Sequence, residues 1–159
     1  MSEVLLQVAT PEAVLLSVLT HLRCGRMREA TAHFAEEFSF TDHGIGLEFK
    51  DKARLAEFFH KARELYPDSL LVVDRVFASG DHVIVEWTYR TTITEPFYGG
   101  LSRKHPVSVP GVSIVRTCQG EITDWADYYD GLTSRRTALA SHFEEWVEVG
   151  AALGYKIQL

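Results

Sequence analysis

The chain opens with hydrophobic residues at helical spacing. They recur three and four residues apart, as on one face of an α-helix: Val14, Leu15, Val18, Leu19 and Leu22. Thr10 suits the N-cap position, Pro11 is tolerated in a first turn, and Gly25 stands where a left-handed residue would end the helix. We therefore expect a first helix between these signals. A second, short helix is expected to carry Met27, Ala30 and Phe34.

From Glu37 to His43 the period of the pattern changes from helical to two, which is typical of a β-strand. One face of this strand would carry Phe38, Phe40 and Asp42, so an acid shares a face with aromatic residues. The segment Gly44 to Lys50 is interpreted as a loop.

Asp51 can cap a third helix, which should end before Pro67 because proline disfavours helical geometry in the residue ahead of it. A wide apolar stripe follows this cap and predicts that the helix lies on an apolar surface. The stripe consists of Leu55, Phe58, Phe59, Ala62, Leu65 and Tyr66.

The remaining pattern predicts an antiparallel meander of four strands. These are Leu70 to Ala78, His82 to Thr94, Pro106 to Thr117 and Glu121 to Asp130, with turns at Ser79–Asp81 and Gln119–Gly120. Alternation places three sets of residues on one face each: Val83, Val85, Trp87 and Tyr89; Val109, Gly111, Ser113 and Val115; and Trp125, Asp127 and Tyr129. An acid again lies among aromatic residues.

Helical spacing returns over residues 131–149, through Leu139, Phe143, Trp146 and Val147. This helix is expected to cover either the mouth of a pocket or a partner subunit. Without repeats or linker-like segments, we expect one domain over residues 1–159, with a core over about 10–132 and a C-terminal helical extension over about 131–149. The order of elements predicts an α+β fold in which a curved, mostly antiparallel sheet wraps around three helices and encloses an apolar pocket.

Composition narrows the classes of function. With 159 residues and 46% hydrophobic content the chain can bury a core of its own. A net charge of -6 argues against nucleic acid or an anionic membrane as a partner. The histidines lack the spacing of a metal site, and no glycine-rich phosphate motif is present, so we expect neither metal nor cofactor. The sequence shows neither a signal peptide nor a membrane span, which predicts a cytoplasmic protein.

Two segments carry a resemblance to a known family: Phe34 to Asp42, and the run Gly120 to Asp130, which reads Gly-Glu-Ile-Thr-Asp-Trp-Ala-Asp-Tyr-Tyr-Asp. With the order of elements, they resemble the nuclear transport factor two (NTF2)-like superfamily, and most closely its SnoaL-like branch. Relatives include polyketide cyclases, ketosteroid isomerases, scytalone dehydratase and limonene epoxide hydrolase. The resemblance implies a cone whose inner sheet face and helices line a pocket.

The resemblance also implies roles for the two acids. Asp42 matches the proton-shuttling base of the isomerases, and Asp127 matches the acid on the last strand of the epoxide hydrolases. Other positions depart from both patterns. The tyrosine that isomerases carry on the first helix falls near Val18, and Trp87 and Tyr89 replace the arginine and aspartate of the epoxide hydrolases. Neither steroid isomerisation nor epoxide opening is therefore expected.

We interpret Asp42 and Asp127 as candidate catalytic residues, because an apolar pocket raises the pKa of a carboxyl toward neutrality and suits it to acid–base catalysis. Their structural alternatives are a turn residue for Asp42 and, for Asp127, a buried acid bonded to a neighbouring hydroxyl or histidine. Candidate substrate-binding residues are Phe40, Trp87, Tyr89, Val109, Trp125 and Tyr129, whose alternative role is core packing.

Three functions remain open. The first is a cofactor-independent isomerase, cyclase or lyase acting on a small apolar carbonyl compound. The second is a ligand-binding module without chemistry, and the third is a dimeric interaction domain. A homodimer is expected through the outer sheet face, where alternation would place Ile122, Ala126 and Tyr128 opposite to Asp127.

Overall fold

The computed structural model describes residues 9–96 and 102–131. Its helices are α1 (Pro11–Arg23), α2 (Met27–Thr31) and α3 (Lys52–Leu65). Its strands are β1 (Phe34–Asp42), β2 (Leu47–Phe49), β3 (Leu70–Ser79), β4 (His82–Pro96), β5 (Ser102–Cys118) and β6 (Glu121–Tyr129). The expected α+β class is confirmed.

The six strands form one sheet in the order β2-β1-β6-β5-β4-β3. Neighbouring strands are antiparallel except β1 and β6, which run parallel. In that parallel pair Asp42 is the register partner of Asp127, and Phe40 is the partner of Trp125. The topology therefore brings the two candidate acids, 85 positions apart along the chain, to adjacent places at the same end of neighbouring strands.

The predicted helix boundaries correspond to observed caps. The Thr10 hydroxyl accepts a hydrogen bond from the Ala13 amide at 3.3 Å, and the Asp51 carboxylate accepts one from the Arg54 amide at 2.8 Å. These bonds satisfy amides that would otherwise lack a partner in the first turn. The turn at Gln119 and Gly120 has positive φ angles of 52° and 83°, as in the tight hairpin turn that matches strand twist.

The hydrophobic core lies between the helices and one face of the sheet, which we call the inner face. Its fully buried members include Leu15 and Val18 of α1, Leu55 of α3, and Val85 and Val115 of the sheet. The alternation expected for β4 and β5 is confirmed, because Val83, Val85 and Trp87 are buried, as are Val109, Ser113 and Val115.

The prediction for Ile122 was wrong. This side chain is completely buried in the core, on the same face as Trp125, although the two residues are three positions apart. The register with β5 shifts here: Ile122 pairs with Thr117, whereas Asp124 pairs with Arg116. Thr123 is the additional residue of a β-bulge, which reverses the alternation of faces.

Other boundaries also differ from expectation: the strand expected over His82 to Thr94 extends to Pro96, and the one expected over Pro106 to Thr117 begins at Ser102. The segment Gly44 to Lys50, interpreted as a loop, contains the short strand β2, whose Phe49 packs on Phe58 of α3 with ring centres 4.9 Å apart. Phe34, expected on the second helix, is the first residue of β1 and is fully buried. The predicted helix over residues 131–149 lies, from residue 132 onward, outside the described residues. In the described ranges, no helix has the length and apolar character needed to cross a membrane.

Candidate active site

Asp127 lies on the inner face near the end of β6, where side chains from two strands hold its carboxylate. The Trp125 indole N–H donates to Oδ1 at 2.6 Å, and the Ser113 hydroxyl of β5 donates to the same oxygen. Trp125 is two residues away on the same face, and Ser113 is the register partner of Asp127 across β5 and β6. Sheet geometry alone therefore brings both donors to one oxygen.

Ser113 is the residue of this site whose role the sequence analysis missed. It is 2% exposed, and its hydroxyl oxygen accepts a hydrogen bond of 2.8 Å from the indole N–H of Trp87 on β4. The sequence signal was its position among the residues of β5 that point to the inner face. Alternation within one strand predicts which face Ser113 occupies, but its hydrogen-bond partners depend on the register between strands.

Burial raises the pKa of Asp127 from 3.8 to about 6. Removal from water disfavours the charged carboxylate, and the charge of Asp42 raises the pKa further, while the hydrogen bonds from Ser113 and Trp125 lower it. The rise in pKa toward neutrality that the sequence analysis expects of a carboxyl in apolar surroundings is thus present at Asp127. A carboxyl with this pKa exists in both protonation states around neutral pH, which is a requirement for moving a proton.

Asp42 ends β1 and is buried, with 6% of its surface exposed. Its Oδ1 accepts a hydrogen bond from the backbone amide of Ile45 at 3.1 Å, and its Oδ2 accepts one from the Tyr129 hydroxyl at 3.0 Å. Its backbone carbonyl also accepts from the Gly46 amide at 2.8 Å. The first and third bonds are those of a turn residue, so the structural alternative weighed for Asp42 is present in the geometry.

Tyr129 contacts both Asp42 and Trp87. Its ring packs on the backbone of Gly44, where an added Cβ would lie 2.2 Å from the ring, and faces Trp87 at 5.8 Å. Burial and the charge of Asp42 raise the pKa of Tyr129 above its ordinary value, so the hydroxyl keeps its proton and remains a donor. Only glycine at position 44 permits this approach.

The other predicted binding residues lie on the inner face, largely within the aromatic core. Phe40 is 1% exposed, and its ring centre lies 5.9 Å from that of Trp125 and 5.5 Å from that of Phe59. Tyr89 is half-buried, and burial raises its pKa. Val109, the register partner of Tyr89, is buried. Core packing, the alternative weighed for these residues, therefore describes Phe40 well.

Neither of two cavities in the described part of the chain borders Asp42 or Asp127. The first, of about 870 Å³, lies between α2 and α3 and is lined by residues such as Arg28, Lys52 and His60. The second, of about 540 Å³, lies against Arg75, Glu86 and Tyr128. The pocket around the two acids therefore stays a prediction. Within residues 9–96 and 102–131, no group of three or more histidine, cysteine, aspartate or glutamate side chains is placed to hold a metal ion.

Solved structures share this fold. IdmH from Streptomyces antibioticus, a candidate polyketide cyclase, is similar with a TM-score of 0.70 and 15% identity, covering 82% of this chain and 99% of its own. A protein of ketosteroid isomerase-like fold from Catenulispora acidiphila, solved with trimethylamine, has a TM-score of 0.65 and 22% identity, covering 79% and 90%. AclR from Streptomyces galilaeus, a candidate hydroxylase, has a TM-score of 0.60 and 18% identity, covering 75% and 87%. These identities establish the fold alone.

Comparison with curated proteins gives no significant match. The family comparison is decisive, since the SnoaL-like domain matches residues 17–125, well over half of the chain, from within α1 through β5 to Trp125 of β6. The expected NTF2-like architecture with a curved, mostly antiparallel sheet is confirmed. This chain belongs to the SnoaL-like domain family.

Proposed function

We propose that this protein is a cofactor-independent acid–base enzyme of the isomerase, cyclase or lyase type, which acts on a small, largely apolar carbonyl compound. The observation that carries the proposal is Asp127, a carboxyl with a pKa raised to about 6 on an aromatic inner face. Proton transfer is most effective when the pKa of the catalytic group lies near the working pH. The likeness to IdmH, a candidate polyketide cyclase, supports a small-molecule substrate.

In this proposal Asp127 removes a proton from the carbon next to the substrate carbonyl and later returns it. The apolar surroundings supplied by Trp87 and Trp125, each 5% exposed, favour binding of an apolar skeleton and keep the carboxylate partly desolvated. The bonds from Ser113 and Trp125 hold the carboxylate in one orientation. Asp42 adds negative charge nearby, which favours the protonated form of Asp127.

A ligand-binding module without chemistry is the second candidate. Two observations favour it: both carboxylates accept hydrogen bonds from neighbouring side chains, and the inner-face aromatic residues pack on one another. Such a site would bind an apolar molecule without needing to move a proton.

Proton exchange in D₂O separates the two candidates. A panel of apolar ketones beginning with 2-tetralone is incubated with the protein, and loss of the α-proton signal is followed by NMR. The enzyme hypothesis predicts α-proton exchange faster than in buffer alone. The rate of exchange should rise with pH through about 6 as Asp127 ionises. Asp127→Asn should slow this exchange by about 100-fold or more.

Asp124→Asn is the matched control, because Asp124 is an exposed acid on the same strand. This variant should catalyse α-proton exchange of the ketones at the wild-type rate. Ketones that bind to the wild-type protein without faster exchange would support the binding module instead. Absence of both binding and exchange across the panel would refute the proposed substrate class.

We further propose that the protein is a homodimer through the outer face of the sheet. Exposed apolar side chains form a row across this face, with Phe77 paired to Ile84 and Ile84 paired to Ile114. Tyr128 is 46% exposed on the same face. A self-complementary apolar patch of this kind suits an isologous contact.

Light scattering after size-exclusion chromatography tests this dimer. The wild-type protein should have twice the mass of the chain at micromolar concentration, and Ile114→Glu should have the mass of one chain. Leu16→Glu, a matched change at an exposed residue of α1, should remain a dimer. A monomeric wild-type protein would contradict the proposal.

A further inference from the structure

The hydrogen bonds around Asp127 form a chain with a fixed direction. Trp87 donates its indole N–H to the Ser113 hydroxyl oxygen at 2.8 Å, and Ser113 donates to Oδ1 of Asp127. An indole nitrogen only donates, so the single Ser113 proton cannot point back to Trp87. The serine hydroxyl therefore has one orientation, toward the carboxylate, whatever the protonation state of Asp127.

Both described hydrogen bonds to the Asp127 carboxylate end on the same oxygen. Oδ1 receives the Ser113 hydroxyl and the Trp125 indole, the latter at 2.6 Å. A carboxylate oxygen with two donors has little capacity left to bind a proton as well. When Asp127 is protonated, its proton should accordingly reside on Oδ2, the oxygen that receives neither bond.

A glycine makes room for this series of hydrogen bonds. The Trp87 ring lies over Gly111, its register partner on β5, and a Cβ at position 111 would come within 2.2 Å of the ring. The open backbone at Gly111 thus lets the indole extend across β5 toward Ser113, two residues along the strand. The sequence analysis placed this glycine on the same strand face as Ser113.

We propose that Ser113 is a positioning residue of the site: oriented by Trp87, it fixes Oδ1 of Asp127 and thereby makes Oδ2 the oxygen that gains and loses the proton. The inference deepens the proposed function, because it identifies the groups that would orient the catalytic carboxylate. A bond to the charged form also stabilises that form. Ser113 therefore keeps the pKa of Asp127 lower than burial alone would make it.

The test is the titration of Asp127 followed by carboxyl ¹³C NMR between pH 4 and 9, which requires no substrate. The wild-type midpoint should lie at about 6. Ser113→Ala should raise the midpoint by about one pH unit, since one bond to the charged form is lost. Ser113→Thr keeps the hydroxyl and should restore most of the wild-type midpoint.

Two further variants complete the design. Trp87→Phe keeps a ring over Gly111 but removes the N–H, so the Ser113 hydroxyl loses one of the two described hydrogen bonds that hold it; the midpoint should rise by less than in Ser113→Ala. It also serves as the second variant if Ser113→Ala fails to fold. Ser108→Ala makes the same chemical change at an exposed position of β5 and should leave the midpoint unchanged.

The outcomes separate this inference from the proposed function. A midpoint that stays at the wild-type value in both Ser113→Ala and Trp87→Phe would refute the positioning role. A shifted midpoint of the Asp127 titration, together with no proton exchange on any ketone, would support the role of Ser113 and refute the enzyme hypothesis. If exchange is observed, its pH profile should shift upward in Ser113→Ala by the same amount as the NMR midpoint.

Discussion

Asp42 and Asp127 occupy paired positions on neighbouring parallel strands, yet their carboxylates are held in different ways. Asp42 receives one bond on each oxygen, from the backbone amide of Ile45 and from the Tyr129 hydroxyl. The Asp127 carboxylate receives both of its described bonds on Oδ1, from the Ser113 and Trp125 side chains. The first acid is tied to the turn that follows it, and the second to residues brought together by the sheet.

Register alone therefore does not decide the role of a buried acid. An acid that binds a backbone amide three residues away stabilises a turn, so its removal should mainly affect folding. An acid held on one oxygen by side chains, with a pKa raised to about 6, keeps a second oxygen for proton exchange. The proposed chemistry therefore centres on Asp127, while Asp42 contributes its charge.

The largest expected effect concerns the pH dependence of stability through Asp127. Its pKa is raised in the folded state from 3.8 to about 6, so the folded protein holds this proton more tightly than the unfolded chain. Below pH 3.8 the raised pKa of Asp127 contributes its full amount to the free energy of unfolding. This contribution is lost as pH rises through about 6, because the unfolded chain releases the proton at a lower pH than the folded protein does. The decrease in the free energy of unfolding amounts to about 3 kcal/mol.

Asp127→Asn removes this titration, and its amide oxygen can still accept from Ser113 and Trp125. The free energy of unfolding of the wild type, measured against that of Asp127→Asn by urea denaturation, should fall by about 3 kcal/mol between pH 3.5 and 7.5. At pH 7 the variant should be at least as stable as the wild type. A difference that is constant with pH, like that expected for Asp124→Asn, would show that Asp127 is an ordinary structural acid.

The second prediction concerns Asp42 as a turn residue. Asp42→Ala leaves the Ile45 amide and the Tyr129 hydroxyl without their acceptor, and should lower the free energy of unfolding at pH 7 by about 2 kcal/mol. Asp42→Asn keeps an oxygen for the Ile45 amide and should cost about half as much. Urea denaturation of both variants measures this. Equal stability of the wild type and Asp42→Ala would remove the contrast between the two acids.

Alternation along single strands was sufficient to place both acids on the inner face. It correctly grouped Phe40 with Asp42, and Trp87 with Tyr89, because the side chains of a regular strand point to opposite faces in turn. It failed at Ile122, where the bulge at Thr123 inserts a residue whose presence depends on pairing with β5. Likewise, β2 has three residues, too few to show a period of two.

The role of Ser113 could not be read from the sequence for a related reason. A serine on the inner parity of a strand has many possible neighbours, and its face does not identify them. Its contact with Asp127 requires the register of β5 against β6, and its contact with Trp87 requires the register of β4 against β5. The register of β5 against β6 is set by the turn at Gln119–Gly120 and the bulge together.

The smallest expected effect is also the most direct test of the contrast, and it concerns Tyr129. Tyr129→Phe removes the hydroxyl that donates to Asp42 at 3.0 Å, while the ring keeps its contacts with Gly44 and Trp87. The loss of one bond predicts a decrease of about 1 kcal/mol in the free energy of unfolding. Because the hydroxyl binds Asp42 and not Oδ1 of Asp127, the Asp127 titration midpoint should move far less than in Ser113→Ala. Urea denaturation and carboxyl ¹³C NMR on the same variant measure both quantities. A midpoint shift as large as that of Ser113→Ala would mean that the two acids titrate as one coupled unit, and separate roles for them would no longer hold.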